Sequence, residues 1–412
     1  MKIIEKRRIK TKKKFKRSQN HSKIKSKNFQ THIQKKLLLI IVLIILLFPL
    51  YFKNIFPSKY NNKNNKIELS QLKKFKNISL ENLESHFKLL LPKKKNHNIP
   101  KINPEDKHNL FKLENSYDYK KMKETGKENY IYYACIIVPA KHENLYVREF
   151  VEYYLKLGVE KFYFGDDNPE DIENLSDVLN DYIQKGIVDI EYIYARNISL
   201  IEFLEYSFRN VKLRCKWFLI FEVDEFLEFT NKTMSLKNYL DMPVFDKCDV
   251  IRIHWMIYDD NDLVYYDNRP RNERFTHGIP HHSLNRFHKS IVRGKDYGPN
   301  VFKSSVHQPD YIFVNNQCDA LGNNEPDTHG ILTSPKFKLC YIKHFTYRTA
   351  EEFAAKMLRN FQNSKKHDFN SNVAQFFSIN KFTDEKLKII EYILNTTFPR
   401  YHNNNYNTYK NN

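Results

Sequence analysis

The sequence predicts an α/β domain built on a largely parallel sheet. Three observations carry that expectation. Four short apolar runs lie between 131 and 221, segments of helical period separate them, and acidic residues stand just past the ends of the runs. Residues 131–138 (IYYACIIV) are apolar throughout and read as a buried strand. Residues 144–157 place Val147, Phe150, Val151, Tyr154 and Leu155 on one helical face, and Gly158 can adopt the left-handed conformation that ends a helix. Residues 160–164 (EKFYF) form a second strand that leads into Gly165, Asp166, Asp167, Asn168 and Pro169. A helix over 171–185 stops at Gly186, a third strand covers 187–194 (IVDIEYIY), and a further helix spans 199–213. The fourth strand, 216–221 (KWFLIF), runs straight into Glu222, Val223, Asp224 and Glu225. Strands alternating with helices imply parallel pairing, and ligands bind beyond the C-terminal strand ends of such sheets. Glu143, Asp166, Asp167, Glu222 and Asp224 all fall there.

The charge is uneven. The chain of 412 residues carries a net charge of +20, of which residues 1–36 hold +14 and residues 53–130 hold +9, leaving −3 for residues 131–412. The basicity therefore belongs to the N-terminal third, and no nucleic-acid partner is expected for the α/β block. Residues 37–52 (LLLIIVLIILLFPLYF) are uncharged and flanked by Lys35, Lys36 and Lys53. They are expected to be an uncleaved transmembrane anchor, because the basic lead is long for a signal peptide and no A-x-A site follows. The basic residues before it place 1–36 in the cytosol as a tail and the rest in the ER or Golgi lumen, a single-pass type II arrangement. Residues 53–130, rich in Lys and Asn, read as a stem, 131–400 as the folded domain, and 401–412 as a disordered tail. The sequons Asn77, Asn197, Asn231 and Asn395 fit a lumenal domain. Five cysteines leave at least one unpaired; Cys135 and Cys215 sit in apolar runs and read as buried thiols.

Nine glycines are spaced so that no dinucleotide fingerprint, P-loop or serine nucleophile elbow exists. Phosphate would need another grip, such as a metal. In an extended segment Glu222 and Asp224, two apart, point the same way and can face one ion. Hard oxygen ligands suit Mg²⁺ or Mn²⁺, which bind substrate phosphates. A second grouping, His277, His281, His282 and His288, contains an H-x₃-H spacing, but Gly278 and Pro280 interrupt any helix there, so an exposed loop is expected instead of a zinc site.

Three stretches, CIIVPAKHENLYVREFVEYYLKLGVEKFYFGDDNPED, WFLIFEVDEFLEF and IKHFTYRTAEEFAAKMLRN, occur in that order over about 133–360. Together they resemble glycosyltransferase family 92 and related family-2-like transferases. The resemblance implies a GT-A (nucleotide-diphospho-sugar transferase) fold with a mixed, mostly parallel central sheet behind an N-terminal transmembrane helix. It implies transfer of a hexose from a nucleotide-sugar donor to a glycan acceptor hydroxyl, with inversion. A retaining transferase and a catalytically silent carbohydrate-binding protein on the same fold are the alternatives. The second draws on Glu222, which stands where the family pattern D-x-D-E-F has its first Asp.

By the same resemblance, Pro139 to Glu143 lie along the nucleotide, and Asp166 or Asp167, with Asn168 beside them, meets the base or ribose. Glu222 and Asp224 hold Mn²⁺ (or Mg²⁺), and His344, after KLCYI, completes the coordination. Lys343, Arg348 and Lys356 are candidate diphosphate contacts. Inversion needs a carboxylate to take the acceptor proton. The candidates are Asp327, Asp260 and, ranked behind them, Glu273, whose neighbours Arg271 and Arg274 suggest a salt bridge. The loop after Trp255 looks like an acceptor loop, where aromatic residues would stack on sugar faces.

Overall fold

The computed structural model describes residues 90, 110–111, 130–169, 172–302, 305–310, 314, 316–324, 331, 334–361 and 369–397. The chain divides into two compact units, Met1–Asn77 and Ile78–Asn412, and every described residue lies in the second. The expected tail, anchor and C-terminal tail, most of the expected stem, Asn77 and Asp327 lie outside the described residues. Among the described residues no helix is long and apolar enough to cross a membrane.

The strands are β1 (Tyr132–Ala140), β2 (Lys161–Asp166), β3 (Val188–Tyr192), β4 (Cys215–Ile220), β5 (Glu225–Phe229), β6 (Val250–Ile257), β7 (His288–Arg293), β8 (Gln317–Asp319) and β9 (Cys340–His344). They form one sheet in the order β3-β2-β1-β4-β7-β6-β9-β5, with β8 beside β6. The half made of β3, β2, β1 and β4 is parallel, as the alternation of strands and helices requires. β7 then pairs antiparallel with both β4 and β6, and β5 antiparallel with β9. The sheet is therefore mixed and mostly parallel.

The helices that position the site are α1 (Val147–Leu157), α2 (Ser176–Gln184), α3 (Leu200–Val211), α4 (Arg271–Arg274), α5 (Ala350–Phe361), α6 (Phe369–Ile379) and α7 (Asp384–Thr397). α1 buries Val147, Phe150, Val151 and Tyr154, four of the five residues on its expected apolar face. It ends where Gly158, at φ 107°, donates its N–H to the carbonyls of Tyr154 and Leu155. α3 starts at a reciprocal cap in which Ser199 and Glu202 satisfy each other's backbone N–H groups.

Alternate residues of β1 enter opposite apolar layers. Ala134, Ile136 and Val138 pack with Phe150, whereas Cys135 and Ile137 pack with Phe203 and Phe208 of α3. A Cβ on Gly165 would sit 2.8 Å from the Phe203 ring, so glycine lets the end of β2 press against α3. Leu110 and Phe111, inside the span expected as a stem, are buried in this second layer. The N–H of Phe111 donates to Glu191 at 2.8 Å, so at these two residues the chain is docked instead of acting as a spacer. A third apolar cluster joins α5, α6 and α7.

The thiol expectation is corrected. Cys135 and Cys215 form a disulfide, because neighbouring parallel strands bring their Cα atoms to 6.0 Å, within bridging reach. Cys248, just before β6, and Cys318 of β8 form a second disulfide, and the odd cysteine is Cys340, buried.

Candidate functional site

The C-terminal ends of β1, β2 and β4 open on one cleft of about 240 Å³. Pro139 and Glu143 line it from the β1 side, Asp167 from β2, and Glu222 and Asp224 from the end of β4. Lys289 of β7 and Lys356 of α5 face the same space, and Leu200, Leu204, Ile220 and Val306 supply apolar wall.

The loop after β1 is held from below. Asn168 Oδ1 accepts the N–H of His142, whose φ of 54° turns the chain toward α1. Asn168 is buried in this role and does not line the cleft. The two aspartates expected at the nucleotide separate. Asp167 stands at the rim with Lys141 3.0 Å away. Asp166 is fully buried, accepting from the N–H groups of Leu175 (2.8 Å) and Asn168 (3.1 Å), and burial pushes its carboxyl up to about 7. Asp166 shapes the loop that carries Asp167.

The acidic motif is not extended. The N–H of Glu225 donates to the carbonyl of Glu222 at 3.0 Å, which makes 222–225 a tight turn between β4 and β5. Both carboxylates still reach the cleft, through the turn and not through the alternation of a strand. Glu222 meets Lys289 at 2.5 Å, and that charge holds its carboxyl below the usual range. Lys289 is wedged between Glu222 and the fully buried Glu225, 3.6 Å away. Burial pushes the Glu225 carboxyl well up. Asp224 is 5% exposed. Burial alone would raise its pKa, but Lys356 at 2.9 Å and Arg348 at 3.7 Å outweigh that and hold it well below the carboxylate range.

Arg348, itself at a left-handed φ of 59°, stacks over Tyr146 at 4.0 Å and reaches both oxygens of Glu143 at 3.0 and 3.3 Å. His344 Nε2 is 3.8 Å from Asp224 Oδ1, and burial lowers the imidazole to about 4, so it is neutral at pH 7. Its ring packs on Trp255 at 4.2 Å. Trp255 is 8% exposed and spends its face on this histidine, not on an open surface.

The other expectations divide. Lys343 precedes His344 on β9, so it points to the opposite face and pairs with Glu228 at 3.0 Å, away from the cleft. Glu273 is exposed on α4 and does not line the cleft. Its arginine neighbours serve other carboxylates, Arg271 that of Glu149 and Arg274 that of Glu352. Asp260 is 1% exposed and bound to the buried Lys386 at 2.7 Å, and its N–H donates to Asn380, so it ties β6 to α6 and α7 instead of facing substrate. Replacing Asp260 with Ala strands a buried lysine, and a loss of about 3–5 kcal/mol is expected. Urea unfolding checks the loss, and turnover per folded molecule should be unchanged; lost turnover at full stability would make Asp260 the base after all. The histidines 277, 281, 282 and 288 do not converge. His277 pairs with Asp259, His288 with Gln308, and His282 accepts the N–H of Leu284.

The donor set fits a hard divalent cation. Glu222 and Asp224 each use one oxygen on a lysine, which leaves Glu222 Oε2 and Asp224 Oδ1 without a hydrogen bond from the described residues. The neutral His344, whose Nδ1 is buried and has no hydrogen-bond partner among the described residues, stands beside the second. Among the described residues no three His, Cys, Asp or Glu side chains form a cage of their own. Mg²⁺-type ions commonly take one or two carboxylates and complete their shell with substrate phosphates.

Lys289 was missed in the sequence. A lysine in the run FHKSIV reads as an outward-facing strand residue, and nothing local signals that it points at residue 222.

The family model for glycosyltransferase family 92 matches residues 132–367, more than half of the chain. The crystal structure of S. aureus TarS aligns with 65% of this chain and 49% of its own, at 13% identity and a TM-score of 0.31. That of S. aureus TarS 1–349 aligns with 65% and 74%, at 12% identity and a TM-score of 0.30. The alignment thus spans about half the length of the first of these. No curated protein matches the chain.

Proposed function

The chain belongs to glycosyltransferase family 92, and on that premise we propose that the cleft at the end of β4 holds the diphosphate of a nucleotide sugar while a hexose moves to a glycan hydroxyl. The observation that carries this reading is the convergence of Glu222, Asp224, Lys289 and Lys356 on one open cleft at the strand ends. The GT-A fold is the natural frame for it, with the nucleotide over β1 and β2. There Pro139, Glu143 and the rim carboxylate Asp167 line the path, and Asp167 can accept from a base or ribose donor.

In this proposal Glu222 and Asp224, with His344 beside them, hold Mn²⁺ or Mg²⁺. The ion would supply Lewis-acid stabilisation of charge on the departing diphosphate. Charge balance supports it. Lys141, Lys289, Arg348 and Lys356 are offset by Glu143, Asp167, Glu222 and Asp224, so a diphosphate brings negative charge that the chain's own cations already spend elsewhere. Transfer is proposed to invert, the acceptor oxygen displacing the nucleoside diphosphate and passing its proton to a carboxylate. Of the three carboxylates expected as base, Asp327 stays in the proposal.

The type II anchor at 37–52 and a lumenal domain belong to the same reading. The two disulfides support an oxidising compartment such as the ER or Golgi lumen, and the exposed sequon residues Asn197 and Asn231 fit it. The test is the purified full chain, offered a nucleotide-sugar panel with and without Mn²⁺. Release of a nucleoside diphosphate that needs both ion and acceptor is expected. Binding without release in every case would favour the silent carbohydrate-binding reading.

A further inference from the structure

Three cations crowd the acidic turn, and they differ in how firmly they are tethered. Lys289 has a 1% exposed side chain and is fixed on β7 between Glu222 and Glu225. Arg348 is equally buried, stacked on Tyr146 and doubly bonded to Glu143. Lys356 has a 31% exposed side chain and stands on α5 at the cleft wall. It donates to Asp224 Oδ2 at 2.9 Å and also to the carbonyl of Thr346 at 3.1 Å. Its flexible stem lets it move without exposing a buried charge, whereas neither of the other two can.

A divalent ion approaching Asp224 meets this ammonium as a like charge at close range, where repulsion is large. A diphosphate entering the same cleft offers the ammonium a new anion. Resting on the metal-assisted reading above, we infer that Lys356 is an exchangeable counter-ion. It neutralises Asp224 until a donor binds and passes to the donor diphosphate when a divalent ion takes its place. Ion and diphosphate then bind in mutual dependence, since such coupling is reciprocal. Lys289 stays on Glu222 throughout.

The experiment is Mn²⁺ titration of the full chain, read by EPR, for wild type, Lys356→Met, Lys356→Gln and Lys356→Arg, with melting curves as the fold control. Without nucleotide, both neutral variants should bind Mn²⁺ about tenfold more tightly than wild type, and Lys356→Arg should behave as wild type. Added UDP or GDP should tighten Mn²⁺ binding to wild type by a similar factor and lose that effect in the neutral variants. Equal or weaker Mn²⁺ binding by folded neutral variants overturns the exchange while leaving the metal reading intact. No Mn²⁺ binding to any of the proteins, even with either nucleotide, overturns both.

Discussion

Asp224→Asn is expected to lower kcat by about a thousandfold while the fold survives. Stabilisation of a leaving diphosphate by a bound ion is worth several kcal/mol, and each 1.4 kcal/mol is tenfold in rate. The amide removes the charge but keeps an acceptor oxygen for Lys356, which lies 2.9 Å from Asp224. Arg348 remains fixed by Glu143 and Tyr146, so the loop that carries it should hold. The measurement is turnover of the nucleotide sugar that the panel identifies, beside a melting curve. A variant that melts like wild type and turns over within threefold of it would remove Asp224 from the mechanism.

A loss of stability as large as that at Asp260 is expected behind the cleft, at Glu352. This carboxylate is 1% exposed and accepts from Arg274 at 2.7 and 3.0 Å, from the Tyr146 hydroxyl at 2.9 Å and from the Thr349 hydroxyl at 2.9 Å. It therefore joins α4, the entry to α1 and the start of α5, the helix that presents Lys356. Glu352→Ala leaves the Arg274 guanidinium buried without its partner, which should cost about 3–5 kcal/mol and lower the melting temperature by roughly 10 °C. Burial pushes the Glu352 carboxyl up, but Arg274, helped by Arg348 and Thr349, outweighs it, and the net shift is below the usual 4.5. A carboxylate depressed in the folded state contributes fully above the unfolded pKa and loses that contribution as pH falls through the folded value. The stability gap between wild type and Glu352→Gln should therefore be constant above about pH 4.5 and narrow below it. A gap that widens in acid would contradict the assignment.

The parallel half of the fold was legible because each of its signals is local. Continuous apolar runs marked β1, β2 and β4, a 3.6-residue period marked α1, and Gly158 and Gly186 marked helix ends. The rim position of Glu143, Asp167, Glu222 and Asp224 followed from strand order alone. What stayed hidden depends on partners distant in sequence. The antiparallel insertion of β7 brings Lys289 to Glu222, 67 residues away, and no pattern in FHKSIV reports that. Asp166 and Asp167 look equivalent in sequence, yet the buried N–H groups of Leu175 and Asn168 claim the first and leave the second for the cleft. Asp260 looked like a free acid because its buried counter-ion, Lys386, lies 126 residues downstream. The turn at 222–225 was misread as extended because Glu225 accepts the N–H of Glu222, a side-chain contact that closes the turn and that strand propensity ignores.

The central claim is that the carboxylates of Glu222 and Asp224 face an ion and a diphosphate in one cleft. The most direct measurement is a crystal of the full chain grown with Mn²⁺ and the nucleoside diphosphate that the panel identifies, with data collected at the manganese absorption edge. The expected result is an anomalous peak against Glu222 and Asp224, with the phosphates between that peak and Lys356. A nucleotide ordered elsewhere on the protein, with no peak at the turn between β4 and β5, would contradict it.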